Sequence, residues 1–256
     1  MRPAVLVFAG LDPSGGAGIA ADIEAIGAQG AHPLALVTAL TVQDNNRVFE
    51  VQPVAPDLLV RQAEALIASI AIAAVKIGIP GSRANAEAIA AVLQTLRRRT
   101  PSLPVVIDPV LASGNGNSLA RGDALDALAP LLPFASVLVP NLPEARALGR
   151  GGQGTRLREA LGCTHLLITG GHAESESVRN DWFGPDGLRS WHWPRLPGQF
   201  HGSGCTLAAA VAGQLAMGAT IAVALEAAQA FCHASLAQSY AIAPGQRIPL
   251  RRPTLH

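Results

Sequence analysis

Aromatic side chains are scarce in this chain, at 4% of residues with a single tyrosine. Proteins that hold single-stranded nucleic acid stack bases on such rings, so that class of function is disfavoured. Charge is thin as well. Only 14% of residues are Asp, Glu, Lys or Arg, and the net charge is +1. A duplex binder would carry a basic stripe. The one basic run here, Arg97-Arg98-Arg99, closes a predicted helix, where cations complement the helix dipole. Three cysteines, Cys163, Cys205 and Cys232, lie far apart. That excludes a disulfide framework and a cysteine-rich zinc site, and it fits a reducing compartment. No apolar run is long enough to span a bilayer. The short one at residues 5–9 lacks a signal-peptide cleavage region and leads straight into a loop. The expectation is a cytoplasmic protein with no nucleic-acid and no membrane partner. Lysine is almost missing: of 19 basic residues, only Lys76 is one. Lysine is a compact charge with a tunable pKa, which arginine is not.

What the chain does have is apolar residues, 49% of its 256 positions, enough for a full core at this length. Continuous apolar runs predict buried strands at residues 5–9, 34–42, 73–79, 104–110, 136–140 and 165–169, the last leading into a Gly-rich turn at 170–172. Residues 48–54 read as a short edge strand, and residues 181–193 as a hairpin around Gly184-Pro185-Asp186-Gly187. Helices are expected at 19–26, 56–70, 84–99, 123–132, 157–162, 206–217 and 220–240. Strand and helix alternate, with a few strand-only excursions. That order predicts an α/β fold, a doubly wound, mostly parallel sheet with helices on both faces. No repeat or linker divides residues 1–256, so a single domain is expected.

The polar features fall at strand ends and helix starts, which form one rim in this architecture. Phe200-His201-Gly202-Ser203-Gly204-Cys205-Thr206 precedes a long small-residue helix. Unpaired N–H groups and the positive dipole end suit such a start to an anion, and they would lower the pKa of Cys205. Taken alone, the stretch reads first as a turn with Ser203 or Thr206 as N-cap and Cys205 as a small core residue. Leu11-Asp12-Pro13-Ser14-Gly15-Gly16-Ala17-Gly18 is a second Gly-rich loop after a strand, and it is neither a Walker A sequence nor a GxGxxG fingerprint. Asp12 offers a hydroxyl acceptor there. Gln43 ends the second strand and presents an amide donor and acceptor. Lys76 lies in an apolar strand and requires a carboxylate or phosphate partner. Asp108 ends another strand before Pro109. Asn141 and Glu144 have capping-box spacing, which also suits a hydrated Mg²⁺. A polar run at 113–118 reads as a mobile flap.

Seven segments carry a resemblance to a known family. They are Gly10-x-Asp12-Pro13-Ser14-Gly15-Gly16-Ala17-Gly18-Ile19-x-Ala21-Asp22, Thr38-Ala39-x-Thr41-x-Gln43, Lys76-Ile77-Gly78, Asp108-Pro109-Val110, Pro140-Asn141-x-Pro143-Glu144-Ala145, Gly170-Gly171-His172 and Gly202-Ser203-Gly204-Cys205-Thr206. Together they resemble the hydroxymethylpyrimidine/phosphomethylpyrimidine kinases of the ribokinase-like superfamily. The resemblance implies ATP-dependent phosphorylation of hydroxymethylpyrimidine and then of its monophosphate, in thiamine biosynthesis. It implies MgATP and a homodimer, and leaves K⁺ open. It also implies roles. Gly202, Ser203 and Gly204 form an anion hole with Cys205 as base. Gly10, Asp12, Ala17, Gln43, Ile79 and Val110 line the pyrimidine pocket. Lys76, Asn141, Thr169, Gly171 and Thr206 meet ATP or phosphate, while Asp108 and Glu144 hold Mg²⁺, partly through water. The chain departs from the family pattern at Thr169, where lysine is common, at Val42-Gln43-Asp44-Asn45, and at Ile79, where methionine is common. The rival readings are a pyridoxal/pyridoxine kinase and a pyrimidine-binding regulator with weak catalysis.

Overall fold

The computed structural model describes residues 1–111, 124–149, 152–171 and 175–252. In order, the elements are β1 (Ala4–Leu11), α1 (Gly18–Ala28), β2 (His32–Gln43), β3 (Val48–Pro53), α2 (Pro56–Ile67), β4 (Ile72–Ile77), α3 (Arg83–Arg99), β5 (Val105–Ile107), α4 (Ala124–Leu128), β6 (Val137–Leu138), α5 (Leu142–Gly149), α6 (Gly154–Leu161), β7 (His165–Thr169), β8 (Ser177–Gly184), β9 (Gly187–Pro194), α7 (Ser203–Ala216) and α8 (Ile221–Ala237). The strands make one sheet in the order β3-β2-β1-β4-β5-β6-β7-β8-β9. Its centre, β2-β1-β4-β5-β6-β7, is parallel; β3 pairs antiparallel with β2 at one edge, and β7, β8 and β9 pair antiparallel in succession at the other. This is the doubly wound α/β fold expected from the sequence.

The apolar runs explain the layering. Side chains alternate across a strand, so a strand buried on both faces must be apolar throughout. In β1, Ala4, Leu6 and Phe8 enter one core, while Val5, Val7 and Ala9 enter the other. Residues of α2, α3, α4, α5 and α6 complete the first core, and α1, α7 and α8 complete the second. Small residues let α7 lie close to α1: a Cβ on Gly213 would stand 2.8 Å from the Cβ of Gln29.

Where boundaries differ from expectation, proline or glycine is usually responsible. β5 and β6 are only three and two residues long. Pro109 and Pro140 follow them and have no N–H to continue a ladder. The helix expected over 123–132 ends at Leu128, ahead of Pro130, and a 3₁₀ turn at Leu132–Phe134 follows. β1 continues past Gly10 to Leu11, and its register with β2 shifts between Ala9 and Leu11. Residues 113–118, read as a flap, and His172 lie outside the described residues.

Sequence order reverses at β1, which sits between β2 and β4. Ligands of open α/β sheets bind at the carboxyl ends of strands beside such a switch point. Here those ends lead into Asp12 and Gly78. Among the described residues, no helix is long and apolar enough to cross a membrane.

Candidate active site

Two glycine-rich loops meet above the switch point. Gly202 is the N-cap of α7 and adopts the left-handed conformation (φ 78°), and no side chain caps this end of the helix. A Cβ on Gly202 would collide with the Gly16 carbonyl and stand 2.9 Å from the Cα of Ala17. Glycine is therefore required by both the dihedral and the approach. The expectation that Ser203 or Thr206 caps α7 through its side chain is not met. The Thr206 hydroxyl instead donates to the Gly202 carbonyl (2.7 Å) and is fully buried. The start of α7 thus keeps backbone donors for an anion.

The loop before α1 is ordered by Asp12. One oxygen accepts the Ser14 N–H (2.8 Å); the other accepts the Ala17 N–H (2.8 Å) and lies 2.7 Å from His201 Nε2. Burial pushes this carboxyl's pKa up, but the hydrogen bonds with His201 and Ser14 outweigh it and hold the pKa below the usual carboxylate value. Asp12 and Ala17, expected to line the pyrimidine pocket, are thus engaged within the loop.

Cys205 lies just inside α7, half-buried. The dipole was expected to lower its pKa, and the structure reverses that direction. Burial pushes the thiol up to about 12, and the carboxylates of Asp108 and Asp22 add to the rise. Lys76 and the Gly18 N–H pull the other way without prevailing. Gly204 faces Asp108, since a Cβ there would lie 3.7 Å from each carboxylate oxygen.

Lys76 lies beneath the rim, with Nζ beside Gly78. It is fully buried and pairs with Asp22 at 2.8 Å, so its partner is a carboxylate of α1. Burial alone would lower its pKa, but Asp22 first, then Cys205 and Asp108, raise it and keep it charged. Asp22 was legible in principle: it shares the buried face of α1 with Ile19 and Ile26.

Asp108 and Glu144 form an acidic pair. Burial raises Asp108 to about 6, and burial followed by the charge of Asp108 raises Glu144 to about 8. Among the described residues, Asp108 Oδ2 is buried with no hydrogen-bond partner. Glu144 accepts the Asn141 N–H (2.9 Å), and the Asn141 side chain accepts the Glu144 N–H (2.9 Å), a reciprocal capping box. An orphaned carboxylate oxygen beside a second raised carboxyl fits a divalent cation that keeps most of its water. Among the described residues there is no cluster of three or more such ligands.

The remaining expected residues ring these groups. A Cβ on Gly10 would stand 2.6 Å from Ile79 Cδ1, so Ile79 occupies the space that glycine leaves. Thr38 fixes the Ile79 carbonyl at 2.6 Å. Gln43 ends β2 opposite Val48 and is half-buried, as is Val110. Thr169 bridges to Asn141, and Gly171 accepts from Arg195 (2.9 Å). A cavity of about 340 Å³ beside Gly170 is lined by Leu142, Ser175, Arg179 and Asp181. Sequence reasoning gave no role to His201 or Arg251. Arg251 is 1% exposed and reaches both glycine loops.

Comparison with known proteins places this geometry. The family described as phosphomethylpyrimidine kinase matches residues 12–250. A hydroxymethylpyrimidine/phosphomethylpyrimidine kinase of Rhizobium meliloti (strain 1021) is 36% identical over 262 residues, covering 96% of this chain and 95% of that protein. Its counterpart in Escherichia coli (strain K12) is 33% identical, covering 95% and 94%. Among solved structures, an ADP complex of Bacillus subtilis pyridoxal kinase superposes with a TM-score of 0.86 at 27% identity, covering 97% of each chain. Phosphomethylpyrimidine kinase from Clostridium difficile 630 gives 0.77 at 29% identity, covering 90% of this chain and 98% of that one.

Proposed function

The chain belongs to the phosphomethylpyrimidine kinase family, and on that premise we propose how its own residues carry the reaction. The activity is ATP-dependent phosphorylation of hydroxymethylpyrimidine and then of phosphomethylpyrimidine, a step of thiamine biosynthesis. The placement of the chemistry rests on one observation: the uncapped start of α7 faces Asp108, which shares its field with Glu144.

Phosphoryl transfer passes through a loose transition state, so the protein's work is positioning and charge stabilisation. N–H groups at Gly202, Ser203, Gly204 and Cys205 receive the charge developing on the transferred group. Asp108 and Glu144 would hold Mg²⁺, partly through water, and the ion neutralises phosphate charge when bound. Asn141, locked by the capping box, fixes Glu144. Thr169 and Gly171 border the ATP side. Gln43 reads the aminopyrimidine edge, with Gly10, Ile79 and Val110 as the pocket wall. Asp12, Ala17, Lys76 and Thr206 act from beneath, by holding the loops in place.

With a pKa pushed up to about 12, Cys205 remains a thiol at neutral pH. To act as base it must first be in its thiolate form: the thiolate then accepts the hydrogen bond of the substrate hydroxyl and takes its proton late, after the P–O bond has begun to form, which returns the neutral thiol. A phosphate acceptor is already ionised and needs no such help. Cys205→Ala should therefore slow alcohol phosphorylation on the order of 100-fold and phosphate phosphorylation far less. Equal loss in both steps, or none, would remove Cys205 from this role.

The free cysteines support a cytoplasmic setting for this one kinase domain. Leu40, Val42 and Phe49, exposed along the β2–β3 edge, support a homodimer. The fold likeness to pyridoxal kinase favours a second reading, a side activity on pyridoxal.

A further inference from the structure

The segment after α8 has no regular structure, yet it is threaded through the site. Tyr240 pairs with Ile248, and Phe200 with Arg247. His201 N–H donates to the Arg247 carbonyl (2.9 Å), and Arg247 N–H to the Gln199 carbonyl (2.8 Å). Leu250 N–H donates to Ser235 of α8 (3.0 Å). These contacts deliver Arg251 into the interior at 1% exposure.

Its guanidinium joins two loops that are nearly two hundred residues apart in sequence. Nε donates to the Thr206 hydroxyl (2.8 Å), and Nη2 donates to the Gly16 carbonyl. Nη1 lies 3.5 Å from Glu24 Oε2, while Arg252 Nε lies 3.1 Å from the other oxygen, Oε1. Thr206 in turn holds the Gly202 carbonyl, and Gly202 sits against Gly16. A planar fork with fixed donor directions suits this bridge, and an ammonium can copy it only in part. A charge this deeply buried needs a reason, since burial without full pairing is unfavourable, and among the described residues Nη1 has the Glu24 ion pair but no hydrogen bond. Its field also reaches Asp22, whose carboxyl burial pushes up and whose ionised form Lys76 and Arg251 favour.

We propose that Arg251 is a positioning residue for phosphoryl transfer, clamping the loop before α1 to the start of α7 so that the N–H groups of residues 202–205 converge on one anion. This rests on the reading that the α7 start receives the phosphoryl group. The residue touches neither reactant. It acts through the Gly16 and Thr206 contacts.

The test compares wild type with Arg251→Ala and Arg251→Lys, each checked for folding by circular dichroism and a urea midpoint. Wild type must first phosphorylate hydroxymethylpyrimidine; if it does not, the kinase reading itself fails. Arg251→Ala should then lose kcat on the order of 10- to 100-fold on both acceptors, with KM for the pyrimidine unchanged, as expected for a displaced donor set. Arg251→Lys should recover part of kcat, and millimolar guanidinium should raise kcat of the Ala variant and not of wild type. Full kcat in a folded Arg251→Ala protein would overturn the proposal. So would a loss confined to KM, or guanidinium that raises the urea midpoint and leaves kcat low. If Arg251→Ala does not fold, Thr206→Val removes the acceptor of Nε at equal volume. Reduced kcat at unchanged KM supports the clamp, and full activity overturns it.

Discussion

Asp12, expected from its motif to meet substrate, also orders the loop that carries it. Its two oxygens hold the N–H groups of Ser14 and Ala17 and face His201. Its pKa is held below the usual value, so it contributes stability above the ordinary carboxylate pKa. That contribution disappears as pH falls through the lowered pKa. Asp12→Asn should cost about 1–3 kcal/mol at pH 7, because one buried N–H loses a charged acceptor. Urea unfolding at pH 7 and at pH 3 measures it, and the gap between wild type and variant should narrow in acid. A gap of equal size at both pH values would show that the charge is not what matters. Cys205 carries the same lesson in the other direction. A helix start lowers a thiol pKa only where burial and neighbouring carboxylates do not outweigh it, and here they do.

At the scale of elements, α1 is tied to β4 by Lys76 and Asp22, both with fully buried side chains. Removing one partner of such a pair leaves an uncompensated charge, whereas removing both in favour of apolar residues is often neutral. Lys76→Met should destabilise the chain by roughly 3–5 kcal/mol, and the double change with Asp22→Leu should recover most of it. Urea midpoints for the two variants decide this. A double variant no better than the single would mean that the pair is not an isolated unit beneath the glycine loops. The strand and helix order was legible because apolar runs and caps are local signals. Strand ends at β5 and β6 were overcalled, since Pro109 and Pro140 stop the ladder while the apolar run continues.

At the scale of the whole molecule, the rim was legible and its undersurface was not. Gly202, Asp108, Asn141 and Glu144 announce themselves through glycine spacing, strand ends and a capping box. Arg251 carries no such signal: it lies in an irregular tail with no periodicity, and only the folding of that tail brings it to Thr206. Lys76 stood out by composition, yet its partner depended on the face that α1 turns inward. A sequence shows which residues can meet a ligand more readily than which ones support them from below.

Substrate choice is the property that all three scales serve. The most direct test is a steady-state assay with MgATP that compares hydroxymethylpyrimidine and pyridoxal as acceptors for the purified chain. The expected result is a higher kcat/KM for hydroxymethylpyrimidine, onward conversion of its monophosphate to the diphosphate, and loss of both when Mg²⁺ is chelated. A higher kcat/KM for pyridoxal, or no turnover of the pyrimidine, would contradict it.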